Sequence, residues 1–347
     1  MSKPPLKPTV HARAVGLFAT RSSSAAKPTV QIFTHRLCQE VDGVIDELRR
    51  LNVSIERINL CQFPGILKLT MEDGTNAAPL GGGAGWIHDL SSFSFETELT
   101  GLAREVALKE SNAFIDGLLL RQNCNWLNSP CTIHLASNKP YQLHLATKLG
   151  IKVPPYLITN DSRMLRRFQR EQGAIVIKTL SAAFIRYGKK SLKFYTRRIG
   201  SLSDEVMANL SLSPVIAQKE IRRTHEIRIT VVDGQCYSVA VNCRNLPLGV
   251  VDIRQLDYVG ERHRFELLRG LKGIERQSIN FVKALGLNYA GLDWAVSLSG
   301  DAFLFEANPL ASFKWFELVG AGNITTAVAT ALHKRLHLFD REETRHI

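Results

Sequence analysis

Residues 289–309 read Tyr-Ala-Gly-Leu-Asp-Trp-Ala-Val-Ser-Leu-Ser-Gly-Asp-Ala-Phe-Leu-Phe-Glu-Ala-Asn-Pro, and no other stretch of the chain restricts the fold so tightly. Two apolar runs flank Ser299 and Gly300, a pair suited to a two-residue hairpin turn. That turn sets Asp293 directly opposite Glu306, and Asn308, two residues on, shares the same facing. Like charges opposed across a ladder destabilise it, and here both acids sit in otherwise apolar strands. A hard divalent cation removes the conflict, because carboxylates and an amide carbonyl supply the oxygens that Mg²⁺ prefers. An edge hairpin with a solvated polar face is the alternative. The strongly apolar strand before Glu306 speaks against it.

Other candidates are weaker singly. Lys178 closes the apolar run 174–177, where its ammonium could lie over a phosphate at the strand's C-terminal end; a snorkelling lysine is the equal alternative. Lys139 precedes Pro140 at a helix start. Arg228 lies in an alternating strand and shares a face with Glu226 and Thr230, where a structural Glu–Arg pair is the plain reading. Residues 214–221 read as a strand whose backbone could meet an adenine edge. Gly81 to Gly85 mimics a phosphate loop, but no Lys-Ser/Thr follows, so a flexible turn is expected. The ten histidines show no metal spacing.

The order of elements is that of an α/β (α+β) protein. A strand at 29–34, a helix over 37–51 with Val41, Val44, Ile45 and Leu48 on one face, and a strand at 53–60 make an opening βαβ pattern. A helix is expected over 97–120 with Leu99, Leu102, Val106, Phe114 and Leu118 inward, then a polar loop at 123–130. Pro140 and Gly150 bracket a further helix. Strands follow at 156–159 and 174–179 around a helix at 161–172, then at 193–197, 214–221, 225–233, 236–243, 289–297 and 302–307. Helices are expected over 262–285 and 323–336. Residues 1–28 contain no acid and read as a disordered basic tail. The remainder divides into 29–130, 131–213 and 214–336.

Lys plus Arg total 44 against 32 Asp plus Glu, a net charge of +12 that suits phosphates or an acidic peptide. Nucleic acid is not favoured, because no block of five or six like charges and no aromatic-basic signature occurs. No apolar run reaches the roughly 18–20 residues of a membrane span. The six cysteines form no C-x-x-C pair and no zinc-spaced cluster, so they read as reduced, mostly buried residues of a cytoplasmic protein.

In order, these segments resemble the ATP-grasp superfamily, and within it the microviridin-type (graspetide) maturases of ribosomal peptides. The resemblance runs through Gln31-Ile-Phe-Thr-His35, Arg57-Ile-Asn59, Asn125-Trp-Leu-Asn-Ser-Pro130, Lys139-Pro-Tyr-Gln-Leu143 and Val153-Pro-Pro-Tyr156. It continues through Val176-Ile-Lys178, Glu226-Ile-Arg228, Asp252-Ile-Arg254, Gly291-Leu-Asp293 and Phe305-Glu-Ala-Asn-Pro309. It implies an ATP-grasp fold behind an N-terminal pre-ATP-grasp domain (29–130), with 131–213 and 214–336 as the two ATP-grasp subdomains.

The resemblance also implies roles. Lys139 and Lys178 would contact ATP phosphates, and Gln218, Lys219, Glu220 and Ile221 would form the adenine hinge. Arg228 would bind the transferring phosphate, Asp252 and Arg254 would stand near the acceptor, and Asp293, Glu306 and Asn308 would hold Mg²⁺. Ile253 replaces a family Trp, Gly85-Trp-Ile-His88 replaces a family Tyr-Arg-Arg-Pro, and Asn308-Pro-Leu-Ala-Ser312 replaces Asn-Pro-Asn-Gly. The nucleotide side is kept and the substrate side is altered.

The implied activity is an ATP-dependent ligase that activates Asp or Glu side chains of a precursor peptide (leader plus acidic core) and closes ester or amide crosslinks. Joining a free amino acid or small amine to a carboxylate is one alternative, and a non-catalytic binder on the same scaffold is another. A homodimer is common in the family, but no segment specifies one. The pair Asp204 and Glu205 is a candidate leader contact, with helix capping the plainer reading.

Overall fold

The computed structural model describes residues 28–71, 80–90, 99–181, 184–187, 190–200, 210, 212–247, 249–256 and 260–343. The expected tail, apart from Pro28, and the pair Asp204 and Glu205 lie outside them.

Alternation and helical spacing at the start of the chain produce β1 (Thr29–Thr34), α1 (Gln39–Arg50) and β2 (Ile55–Asn59), with β1 and β2 parallel. The apolar face expected of α1 is the one buried, and acids open the helix while Arg49 and Arg50 close it, as the helix dipole favours. The sheet continues through β3 (Gly82–Ile87) and, after α2 (Gly101–Arg121), β4 (Asn123–Trp126), in the parallel order β2-β1-β3-β4.

Three expectations fail here. Gly82 to Gly85 form a central strand instead of a flexible turn, because a Cβ at Gly83 would strike the Thr29 backbone and one at Gly85 would strike the Trp126 ring. Residues 123–126 form an edge strand instead of a polar loop. In α2 the stripe holds only in its second half: Leu102 and Val106 are exposed, while Leu118 and Phe114 turn inward as expected and join Ile115 and Leu119 against Phe33, Ile58 and Ile87.

Two short helices, α3 (Pro130–Ala136) and α4 (Lys139–Lys148), are capped by Ser129 and Asn138, each with Pro in the first turn. Next come β5 (Tyr156–Thr159), α5 (Ser162–Gln172), capped by Asp161, and β6 (Ile175–Lys178). The small hairpin β7 (Phe184–Tyr187) and β8 (Lys190–Lys193) precedes β9 (Arg197–Ile199) and β10 (Val215–Lys219), so the single strand expected at 193–197 is two strands flanking that stretch. An antiparallel sheet β5-β10-β6-β9 results, with Leu165 and Phe168 of α5 packed on Ile175 and Ala217. Since β10 is interior to this sheet, the middle layer runs past the division drawn at 213/214.

The third sheet holds β11 (Arg223–Val232), β12 (Gln235–Asn242), β13 (Phe265–Glu266), β14 (Tyr289–Ser297) and β15 (Ala302–Asn308), antiparallel in the order β13-β12-β11-β14-β15. The helix α6 (Lys272–Ala284) covers one face, burying Phe281 and Val282 against Ile227, Ile229, Leu292 and Trp294. It starts ten residues later than expected, because 262–264 is a 3-10 turn leading into β13 and Gly270 adopts φ +83°. After α7 (Lys314–Leu318), α8 (Ile324–Glu343) returns to the first sheet, where Ile324, Val328, Leu332 and Leu336 pack on Val41, Val44, Leu48 and Trp86. Among the described residues no helix is long and apolar enough to cross a membrane.

Candidate active site

The face of the third sheet opposite α6 carries the site. In β11 the residues alternate, with Ile227, Ile229 and Val231 in the core and Glu226, Arg228 and Thr230 on the other face. Across the β11–β14 ladder Arg228 pairs with Asp293 and Thr230 with Gly291, and across the β14–β15 ladder Asp293 pairs with Glu306 and Gly291 with Asn308. The expected opposition of the two acids is therefore present, but it is reached differently. The hairpin loop has three residues, 298–300, closed by Ser297 N–H to Asp301 O at 2.8 Å, with Gly300 at φ +86°. Phe305 is an extra residue in β15, which shifts the register between Asp293 and Trp294 and cancels the longer turn.

Arg228 reaches along this face. Its Nη1 donates to Asp293 Oδ1 at 2.9 Å and its Nη2 to the Ser312 carbonyl at 3.3 Å, while its Nε and the Thr230 hydroxyl are buried without a protein partner. The guanidinium lies over Gly291, where a Cβ would come within 2.5 Å of Nη2 and 2.6 Å of the Ala311 Cβ. Only glycine permits that approach.

A pocket opens beside Glu306, lined by Lys139, Gln142, Lys178, Ile216, Gln218 and Phe305. Lys139 Nζ is 3.6 Å from Glu306 Oε2 and donates to the Thr179 carbonyl at 3.3 Å, and Lys178 Nζ stands 4.6 Å from the centre of the Phe305 ring. The bulge residue thus supports one of the pocket's two lysines. Gln142 fixes the wall: its amide donates to the Ala136 and Ala307 carbonyls at 2.6 and 2.7 Å and accepts from Ala307 N–H at 2.9 Å, tying α4 to β15. Of the four expected hinge residues, Gln218 turns its side chain into the pocket. Lys219 is exposed, Glu220 is bound to Arg198, and Ile221 is half-buried beyond the strand.

Asp252 is buried and fully engaged. It accepts from Arg254 Nε at 2.9 Å and Nη2 at 2.6 Å, from Arg254 N–H at 3.1 Å and from Thr196 N–H at 3.0 Å. Asp252 therefore orients Arg254, whose charge is felt by both Glu306 and Asp293. Glu226 pairs with Arg223 at 2.5 Å, not with Arg228, so the Glu–Arg pair read from the sequence has different partners.

Burial governs the electrostatics. It holds Lys178 below the usual lysine range, although Glu306 pulls the other way. It also raises the Asp293 carboxyl against the opposing charge of Arg228. Burial would raise Glu306 as well, but Lys139, Lys178 and Arg254 together keep it low. Glu226 is pushed to about 7 by burial, which Arg223 only partly offsets and which Asp293 and Asp252 reinforce. Asp293, Glu306 and Asn308 form a hard oxygen set on one face, the type a divalent cation takes, and four cationic side chains surround it. Asn308 is exposed at the open end, its Oδ1 accepting Leu310 N–H at 2.9 Å. The donor chemistry fits Mg²⁺, and the unpartnered Arg228 and Thr230 donors fit an anionic oxygen ligand.

One cluster escaped the sequence. Cys38, at the start of α1, lies against His88, which follows β3, and His88 Nε2 is 2.7 Å from Glu40 Oε2. Reading Gly81 to Gly85 as a turn left no strand end to place His88, and residues 50 apart show no ligand spacing. The six cysteines are free, but against expectation only Cys243 is buried outright, Cys131 is exposed and the other four are half-buried.

No protein-family model and no curated relative matches the sequence. Solved structures do. A RiPP-associated ATP-grasp ligase from Chryseobacterium gregarium, in complex with ADP and a leader and core peptide, superposes with TM-score 0.76 at 20% identity over 88% of this chain and 97% of that one. The macrocyclase MdnC from Microcystis aeruginosa, bound to precursor peptide MdnA, gives 0.74 at 23% identity over 88% and 99%. The ATP-grasp ligase PsnB with a minimal precursor gives 0.72 at 22% over 89% and 99%. At these identities the likeness establishes the fold: this chain has the ATP-grasp architecture.

Proposed function

We propose that the chain is an ATP-dependent ligase that activates side-chain carboxylates of an acidic precursor peptide as acyl phosphates and closes ester or amide crosslinks. The observation that carries this reading is the Asp293–Glu306 pair, set opposite each other beneath Arg228 and beside the Lys139, Lys178 and Gln218 pocket. Structural neighbours bound to precursor peptides, one of them also to ADP, support it.

Asp293, Glu306 and Asn308 would hold Mg²⁺, which supplies charge neutralisation to phosphate oxygens. Lys139 and Lys178 bind the triphosphate, and Gln218 with Lys219, Glu220 and Ile221 meets the adenine. Arg228, already placed by Asp293 and Ser312, neutralises the phosphoryl group as it moves to the substrate carboxylate, and its unpartnered Nε supplies a further donor. Arg254, oriented by Asp252, faces the acceptor side. The net charge of +12 suits a peptide with an acidic core.

The test is mass spectrometry of acidic candidate peptides incubated with the protein and Mg·ATP. Loss of one water per crosslink with ADP release supports the reading. Mass gain from an added amine would replace it with an intermolecular ligase, and absence of Mg·ATP binding would leave only a peptide-binding scaffold.

A further inference from the structure

Spacing along the chain suggests no metal site among the ten histidines, and the last helix corrects that reading. Within α8, His333-Lys-Arg-Leu-His337 is an i,i+4 pair, the separation that sets two side chains one turn apart on a single helix face. Two imidazoles so placed are the helical part of many zinc sites. The structure brings them together: His333 Nε2 and His337 Nε2 are 2.9 Å apart, and the ring centres are 4.4 Å apart. Among the described residues, no other group hydrogen-bonds either ring.

The other faces of α8 fix its rotation. Val328, Leu332 and Leu336 pack into the core that holds Val41, Leu48 and Trp86. Arg335, between the two histidines, donates to Asp233 at 2.7 and 2.9 Å and to the Trp126 carbonyl at 3.1 Å. These contacts leave His333 half-buried and His337 exposed on the outer face. The backbone positions are thus held ready, and aiming both ring nitrogens at one point takes only rotation of two surface side chains.

The spacing also discriminates between ions. Imidazole nitrogen binds a divalent metal at about 2.0–2.1 Å. Two such bonds at a right angle separate the nitrogens by about 2.9 Å, and at the tetrahedral angle by about 3.3 Å. The observed gap is the right-angle one, typical of the tetragonal geometry that Cu²⁺ and Ni²⁺ favour. A hydrogen bond between the rings accounts for the same distance, its proton lying where an ion would. The other gathering of ligand atoms, Cys38 with Glu40 and His88, is less suited, because both Glu40 oxygens are already bonded to protein donors.

We propose that His333 and His337 form a surface chelate for one divalent ion of the copper and nickel class, with water in its remaining positions. The ion staples one turn of α8, the helix whose buried faces cover the first sheet, and binding to the folded chain alone stabilises it. No residue of α8 lines the pocket beside Glu306, so the site is independent of the ligation proposed above.

The test is calorimetric titration of the full, untagged, metal-stripped chain with NiCl₂ at neutral pH in a buffer that does not chelate. One ion per chain is expected, with a melting temperature that rises on binding. His333→Ala and His337→Ala should each weaken binding on the order of a hundredfold, because the second imidazole then no longer acts within the same molecule. Cys38→Ser should bind as wild type does. His337→Ala combined with Leu338→His keeps two imidazoles but sets them five residues apart, at a position already exposed; it should bind as weakly as His337→Ala. Wild-type affinity in that double variant or in either alanine variant overturns the proposal. So does loss of binding in Cys38→Ser, Zn²⁺ held more tightly than Ni²⁺, or the absence of stoichiometric binding.

Discussion

Arg228 and Asp293 face each other across the β11–β14 ladder, Nη1 to Oδ1 at 2.9 Å, with the guanidinium only 11% exposed. A half-buried carboxylate opposite a second acid, Glu306, is costly alone, and the arginine offsets that cost before any ligand arrives. The same guanidinium keeps its Nε free for a ligand. Arg228 is therefore a structural counter-ion, and in the proposed reaction it is the anion donor as well.

Arg228→Ala should lose both roles. The orphaned Asp293, only half-buried, costs about 1–3 kcal/mol of stability, and ADP release falls on the order of 10²–10³-fold. Arg228→Lys separates them, since it retains the charge but not the planar fork that spans Asp293 and Ser312. Urea melts should show the lysine variant close to wild type, while its turnover stays low.

Gly291→Ala tests the approach of the guanidinium to the β14 backbone. The added methyl meets Arg228 Nη2 at 2.5 Å and the Ala311 Cβ at 2.6 Å. Overpacking of this kind costs roughly 1–3 kcal/mol. Because Arg228 must shift to relieve it, ADP release should fall while Mg·ATP affinity, measured by calorimetry, changes less.

Lys178 predicts a trade between stability and function. The residue is half-buried in the pocket wall, and desolvation disfavours its charge. Lys178→Met keeps the stem packed on Phe305 and removes that cost, so the ligand-free protein should melt higher. Nucleotide affinity should drop in the same variant. A lower melting temperature would show that the cation–π contact outweighs desolvation.

Glu226 sets a pH dependence. Its folded value of about 7 lies above the 4.5 of the unfolded chain, so the folded state holds an extra proton between the two. Stability should fall as pH rises through that window, with the full cost present above 7. Glu226→Gln still accepts from Arg223 but does not titrate, so its melting temperature relative to wild type should climb between pH 4.5 and 7 and then level off. A constant difference refutes the assignment.

How far the sequence revealed this site depended on which signals were local. The opposition of Asp293 and Glu306 was legible because strand alternation fixes facing, yet two compensating errors lay beneath it, the three-residue loop and the Phe305 bulge. A bulge leaves no mark in a purely apolar strand. The glycines of β3 were illegible because their reason is steric and distant, in Thr29 and Trp126. Losing β3 hid His88, and with it the Cys38 cluster. The first half of the α2 stripe failed for a similar reason: helical spacing offers several apolar arcs, and only the sheet beneath sets Ile115 and Leu119 beside the expected Leu118 while Leu102 and Val106 stay exposed.

Asn128 shows how one polar side chain couples the first sheet to the site. It is buried between β4 and α3, and its Nδ2 donates to the Tyr289 carbonyl at 2.7 Å and the Pro309 carbonyl at 3.3 Å. Its Oδ1 accepts from Asn288 N–H at 2.9 Å and Tyr289 N–H at 3.1 Å. These contacts bracket the hairpin that bears Asp293, Glu306 and Asn308, fixing its entry and its exit together. Asn128→Ala leaves two amides and two carbonyls to find water in a dry interface, at about 1–3 kcal/mol for each group left unsatisfied. Asn128→Asp keeps the acceptor but loses the donor and adds a buried charge, so it should be the worse substitution above pH 5. Denaturant midpoints for the two variants at neutral pH check the order, and an aspartate midpoint close to wild type with alanine well below it would place the stabilisation in the Asn288 and Tyr289 amides alone.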